Sequence, residues 1–200
     1  MQSVPYINAW KRLLAQQYNA EEAGLIAERI QQRYAALQRQ KPQASNSSQR
    51  KRLNHLILPG LALYQALRET NLSQGESLAE TERLFKATLF INERRFTAWL
   101  NRLPDPFPIV RLMLRQVERD AHAEAGHEII EDSPRCFAFN AHRCFLLEVL
   151  RFYQTPELAP LYCKTDDWVA EAMPKVRWLR TKTLGRGDAV CDFHWERGSS

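Results

Sequence analysis

Two hundred residues with 44% apolar content suffice for one compact core, and for two small subdomains only if they share it, so a single domain is expected. A net charge of +5 and a pI near 9.2 raise nucleic acid as a partner, yet only Arg50, Lys51 and Arg52 form a compact basic run, without zinc-finger spacing or an RNA-recognition signature, so none is expected. No stretch reaches the roughly eighteen apolar residues of a membrane span, and residues 1–10 lack the basic-then-apolar order of an export signal, so a cytoplasmic protein with no membrane partner is expected.

In chain order, residues 5–40 place Ile7, Trp10, Leu14, Tyr18, Leu25, Ile30, Tyr34 and Leu37 at near-helical spacing, which predicts one amphipathic helix or two, with the break near Asn19 or Gly24. Trp10, Tyr18 and Tyr34 are expected to be exposed on this segment and to favour a homodimer or a protein partner. Residues 41–52, KPQASNSSQRKR, read as an exposed polar linker. The expected organisation is thus an N-terminal helical appendage (1–40), a linker (41–52) and a main domain (53–200), with residues 1–52 the docking surface for any partner.

Pro59 suits the first turn of a helix running to about Thr70. Ser73 and Glu76 carry the capping-box pattern and predict a helix that continues through Leu84 and Leu89 toward Phe96 and Leu103, where Pro104, Pro106 and Pro108 end it. Another helix is expected over 109–123. After Gly126 the segments HEIIED, RCFAFN, KVRWLRTKTL and DAVCDFHWE are short, aromatic or β-branched and bounded by turn residues, so they read as four strands. Helices over 141–153 and 166–173 fall between the second and third. The fold class is α+β, with helices on one face of a four-stranded antiparallel sheet.

Cys136, Cys144, Cys163 and Cys191 all lie in the last third, unlike the spread framework of a disulfide scaffold, and are expected as thiols. Asn140 is expected to cap the helix carrying Cys144, and Thr165 the helix beginning near Cys163; a helix start favours a thiolate. In the last strand Cys191, Phe193 and Trp195 share one face, with Asp192 and His194 on the other. Three thiols can therefore meet beneath the helices. The plainer alternative is that the cysteines are buried packing residues, that Asp166, Asp167 and Asp192 are caps or solvated charges, and that Arg180 and Lys182 form an exposed basic stripe. Zinc held by Cys144, Cys163 and Cys191 is a further alternative, although no close cysteine pair marks a zinc module and the histidines show no metal spacing.

Taken together, LPGLALYQAL (58–67), NAHRC (140–144), PELAPLYCKTD (156–166), RTKTLGRGD (180–188) and CDF (191–193) resemble, in order and spacing, the L-2-amino-thiazoline-4-carboxylic acid hydrolase family. The first fifty residues have no recognisable counterpart in that resemblance, and His194-Trp195 stands where members often carry a basic residue and an aromatic. The resemblance implies hydrolytic opening of a cyclic amidine bearing a carboxylate, a small-molecule substrate and no cofactor. The carbon attacked is a poor electrophile until a neighbouring nitrogen is protonated, so the site needs a nucleophile, an acid and a carboxylate anchor. Cys191, then Cys163, is expected as the nucleophile, with Cys144 a third thiol, Asp166 sharing a proton with the substrate and Arg180 holding its carboxylate. Asn140, Asp192 and His194 complete the expected binding set. The competing expectations are a non-catalytic ligand- or zinc-binding sensor domain of vinyl-reductase-like type and an accessory protein of a biosynthetic pathway.

Overall fold

The computed structural model describes residues 3–198, the side chains at 120–124 excepted, and the chain divides into two compact units. The first comprises the chain up to Leu89 together with Val149–Leu158. Its helices are α1 (Ile7–Leu14), α2 (Ala20–Arg39), α3 (Ser47–Arg52), α4 (Leu58–Arg68) and α5 (Gln74–Thr88). The break between α1 and α2 falls at Asn19, not Gly24, because the Asn19 side chain accepts the Glu22 N–H at 2.9 Å and caps α2. Within the stretch expected as linker, Asn46 caps α3 by accepting the Gln49 N–H, and Gln49 is buried. One turn of π-helix, Leu53–Ile57, leads into α4, whose first turn holds Pro59. Residues Leu58 through Tyr64 are all buried, since α4 packs against both α2 and α5.

That packing corrects the expectation of exposed N-terminal aromatics. Trp10 and Tyr34 are buried, the indole N–H donating to the Thr88 hydroxyl at 2.9 Å and the Tyr34 hydroxyl donating to the Asn54 carbonyl at 3.0 Å. Each amphipathic ring finds a polar partner inside the fold, which satisfies it without a second molecule. The capping box at Ser73 and Glu76 is formed in both directions. The helix it starts stops at Thr88, however, where Leu89 is extended and Phe90 left-handed (φ 55°), a turn that periodicity does not announce.

The second unit comprises Phe90–Glu148 and the chain from Ala159 onward. It contains α6 (Ile91–Leu100), α7 (Phe107–Ala125), α9 (Ala159–Glu171) and a four-stranded antiparallel sheet of β1 (His127–Asp132), β2 (Cys136–Ala141), β3 (Val176–Leu179) and β4 (Cys191–Arg197) in the order β1-β2-β4-β3. Helix α8 (Phe145–Phe152) follows β2. Pro108, expected to end a helix, sits in the first turn of α7, where its missing N–H has no intrahelical partner to lose.

The β2–β4 register sets Phe137 opposite Trp195 and Phe139 opposite Phe193, and β3 adds Trp178 beside Trp195. These rings cover one face of the sheet: Phe139 stacks on Phe193 with centroids 4.9 Å apart, and Leu100, Phe107, Val110, Met173 and Val176 close over Phe137 and Phe139. The architecture is α+β, with a helical N-terminal portion, and no helix among the described residues is long and apolar enough to cross a membrane. Phe139→Ala should cost about 3–5 kcal/mol of stability, measured by denaturant titration followed by tryptophan fluorescence. A loss under about 1 kcal/mol would mean that the aromatic face is not the core of this unit.

Candidate active site

The site is built where the chain leaves β3 and returns to β4. Strand β3 ends at Leu179, and residues 180–190 make a turn with a short 3₁₀ segment at Leu184–Arg186. Two aspartates pin that turn. Asp192 accepts from the Thr181 N–H (2.9 Å), the Thr181 hydroxyl (2.6 Å) and the Lys182 N–H (2.6 Å). Burial opposes its ionisation, but these hydrogen bonds outweigh burial and hold its carboxyl below the ordinary value. Asp188 accepts from the Thr183 N–H at 2.7 Å and returns its own N–H to the Thr183 carbonyl.

Pinned in this way, the turn lays its backbone on two sulfurs. The Leu184 N–H donates to Cys191 Sγ at 3.2 Å. At Gly185 a Cβ would stand 3.1 Å from Cys163 Sγ and 3.3 Å from the Ala159 methyl, so a side chain there would crowd the sulfur. Beside them lies Arg180, its side chain only 5% exposed. One guanidinium nitrogen donates to Asp166 at 2.8 Å, the other to Asp167 at 2.8 Å and to the Cys163 carbonyl at 2.7 Å. Its plane approaches the rings of Trp178 and Phe193, at 5.2 and 5.8 Å.

Burial pushes the Cys163 thiol up to about 12; Arg180 opposes the rise, and the neighbouring charges of Cys191, Cys144 and Asp166 add to it. Cys191 is also raised, by burial first, with the Leu184 N–H and Arg180 pulling against burial, Cys144 and Asp166. Cys144, Cys163, Cys191, Arg180 and Asp166 thus share one electrostatic neighbourhood, drawn from the start of α8, the middle of α9, the exit of β3 and the start of β4.

Several expected placements change. Asn140 does not cap a helix: it lies in β2 opposite Asp192, and Cys144 itself takes the residue before α8, its carbonyl accepting the Glu148 N–H. Cys163 is not at a helix start, because α9 begins earlier, at Ala159 after the 3₁₀ turn Pro156–Leu158; the Thr165 hydroxyl donates to the Tyr162 carbonyl inside the helix instead of capping it. Asp192 and His194 sit on the sheet face opposite Cys191. There His194 Nε2 lies 3.4 Å from Cys136 Sγ and 3.0 Å from Glu196 Oε1, apart from the three-thiol group. Arg180 directs its fork at Asp166, Asp167 and Cys163. Asp167, Asp188, Leu184 and Gly185 were not among the expected site residues; of the two glycines in RTKTLGRGD, Gly185 was the available signal of a close backbone approach.

A family model described as L-2-amino-thiazoline-4-carboxylic acid hydrolase matches residues 50–195. The chain belongs to this family. The match contains all three clustered thiols, Arg180 and Asp166, so in this member of the thiazoline-carboxylate hydrolase family the cluster lies within the shared portion of the chain. No curated protein matches it.

Two outcomes follow from this geometry. The folded Cys163 thiol binds its proton more tightly than the unfolded one, so its contribution to stability is full below the ordinary value of 9.0 and is lost as pH rises from there toward about 12. Denaturant titrations between about pH 8 and about pH 11 should show a steeper decline for wild type than for Cys163→Ser; identical slopes would place the Cys163 sulfur in water. Gly185→Ala should cost about 1–3 kcal/mol in the same titration, because the new methyl must displace a sulfur held inside α9.

Proposed function

We propose that the chain hydrolyses a small cyclic amidine of the 2-amino-thiazoline-carboxylate kind at the Cys144, Cys163 and Cys191 cluster. The observation that carries this reading is the gathering of three sulfurs, a guanidinium and a carboxylate from four separated segments of the family-matched chain. Family membership supplies the reaction class, and the cluster supplies groups suited to it.

The thiols differ in chemical readiness. Cys163 and Cys191 are held as neutral thiols by burial, whereas Cys144 is half-exposed and stands at the N-terminal end of α8, where the helix dipole favours an anion. Cys144 is therefore the nucleophile of choice, and the neutral S–H groups of Cys163 and Cys191 are the proton donors within its electrostatic reach. The thiolate adds to the carbon of the protonated amidine, a bond from that carbon to a ring heteroatom breaks, and the departing atom takes a proton. Water then attacks the covalent intermediate, releasing the carbamoyl product and restoring the thiol, so one water is consumed.

Asp166, on the outer side of its ion pair with Arg180, is half-exposed and is the carboxylate that exchanges protons with substrate. Arg180 acts by fixing Asp166 and α9 and by supplying positive field to the sulfurs. In this reading the thiols and the carboxylate carry the chemistry themselves.

The test is turnover of 2-amino-thiazoline-4-carboxylate by wild type and by Cys144→Ser, Cys163→Ser, Cys191→Ser and Asp166→Asn, with circular dichroism to verify folding. Cys144→Ser should lose about a hundredfold or more in kcat. Iodoacetamide at neutral pH should label Cys144 ahead of Cys163 and Cys191. Undiminished turnover in all three serine variants would eliminate thiol catalysis, and stoichiometric zinc with no turnover by wild type would favour a sensor domain.

A further inference from the structure

The turn that covers the sulfurs contains one polar group with no use for itself. Thr183 is 1% exposed, and among the described residues its hydroxyl has no hydrogen-bond partner. The residue's other polar atoms are all engaged: its N–H donates to Asp188, and its carbonyl accepts from the N–H groups of Arg186 and Asp188. The hydroxyl also passes over the usual local solution, since Thr183 precedes the 3₁₀ segment at Leu184–Arg186 and its side chain makes no capping bond there. A buried hydroxyl left in this condition works against folding, so its presence calls for a partner outside the folded chain.

Its location says which partner. The next residue, Leu184, places its amide nitrogen 3.2 Å from Cys191 Sγ, and the one after, Gly185, abuts Cys163 Sγ. Adding the fixed backbone spans from that nitrogen to the Thr183 Cα and on to its hydroxyl bounds the oxygen at no more than about 8 Å from the Cys191 sulfur. A five-membered ring carrying one amino group fits within that reach.

We infer that Thr183 is a substrate-positioning residue whose hydroxyl oxygen accepts a hydrogen bond from the exocyclic amino group of a cyclic amidine bound at the thiol cluster. This rests on the hydrolase reading and sharpens it. A protonated amidine presents N–H donors at every nitrogen, and a threonine hydroxyl is an acceptor that cannot take a proton from it, so the contact orients the ring without discharging it. The substrate class is narrowed to rings with a free amino group on the reacting carbon. Binding requires the amide of Leu184 to give up its hydrogen bond to Cys191 Sγ.

The experiment compares wild type, Thr183→Val and Thr183→Ser for turnover of 2-amino-thiazoline-4-carboxylate and for inhibition by 2-methyl-thiazoline-4-carboxylate, which has the ring and the carboxylate but no amino group. Thr183→Val should lower kcat/KM about 10–100-fold with the inhibition constant unchanged within about twofold, and Thr183→Ser should recover most of the loss. Ligand-free Thr183→Val should melt at or above the wild-type temperature, because the hydroxyl it removes is unpaired. A fall of more than about 4 °C would show that the hydroxyl already has a partner inside the fold and would overturn the assignment. Active wild type with unchanged kcat/KM in Thr183→Val would overturn the Thr183 assignment alone. Wild type inert toward the amino-thiazoline would overturn the hydrolase reading, and this assignment with it.

Discussion

The buried guanidinium of Arg180 is the constraint on which the site depends. It leaves β3, passes beside Trp178 and Phe193, and binds α9 through Asp166, Asp167 and the Cys163 carbonyl. A helix carrying one thiol is thereby fixed to the strand whose continuation carries the turn over that thiol. A lysine could not do the same, since a single ammonium has neither the planar fork nor the stacking surface. The aromatic face of the sheet serves the same end, because the rings that form the core also make the wall against which the guanidinium lies.

Three sulfurs within electrostatic reach of one another have a chemical result. Each thiolate would raise the proton affinity of the others, so the cluster favours one negative charge at a time and resists a second. The members are thereby distinguished by position alone. In the reading proposed above, Cys144 at the start of a helix carries that one charge, and the two thiols under the turn keep their protons. Asp192 is held below the ordinary carboxylate value by its hydrogen bonds to Thr181 and Lys182, on the sheet face away from Cys191.

Much of the fold was legible because it depends on short-range patterns. Alternation in CDFHWER put Cys191, Phe193 and Trp195 on one face, HEIIED coincided with β1, and the Ser73–Glu76 box marked the start of α5. The misplacements came from competing signals of similar strength. Asn140 looks like a helix cap by residue type, but it pairs within β2 and yields that position to Cys144. Thr165 looks like another, but the proline-initiated turn at 156–158 starts α9 earlier. The left-handed Phe90 is adopted by a residue with no local preference for it, and the burial of Trp10 and Tyr34 depends on α4 and α5, far away in sequence. At the site, the residue types were readable, whereas the contacts of Leu184, Gly185 and Thr183 arise from backbone placement that no side-chain pattern encodes.

Gly185 sets a limit on how this turn can be altered. With Cys163 Sγ and the Ala159 methyl 3.1 and 3.3 Å from where a Cβ would go, a side chain there must push one of them aside by a few tenths of an ångström. Both neighbours belong to α9, so a change of residue at this point of the turn is felt first by the helix beneath it.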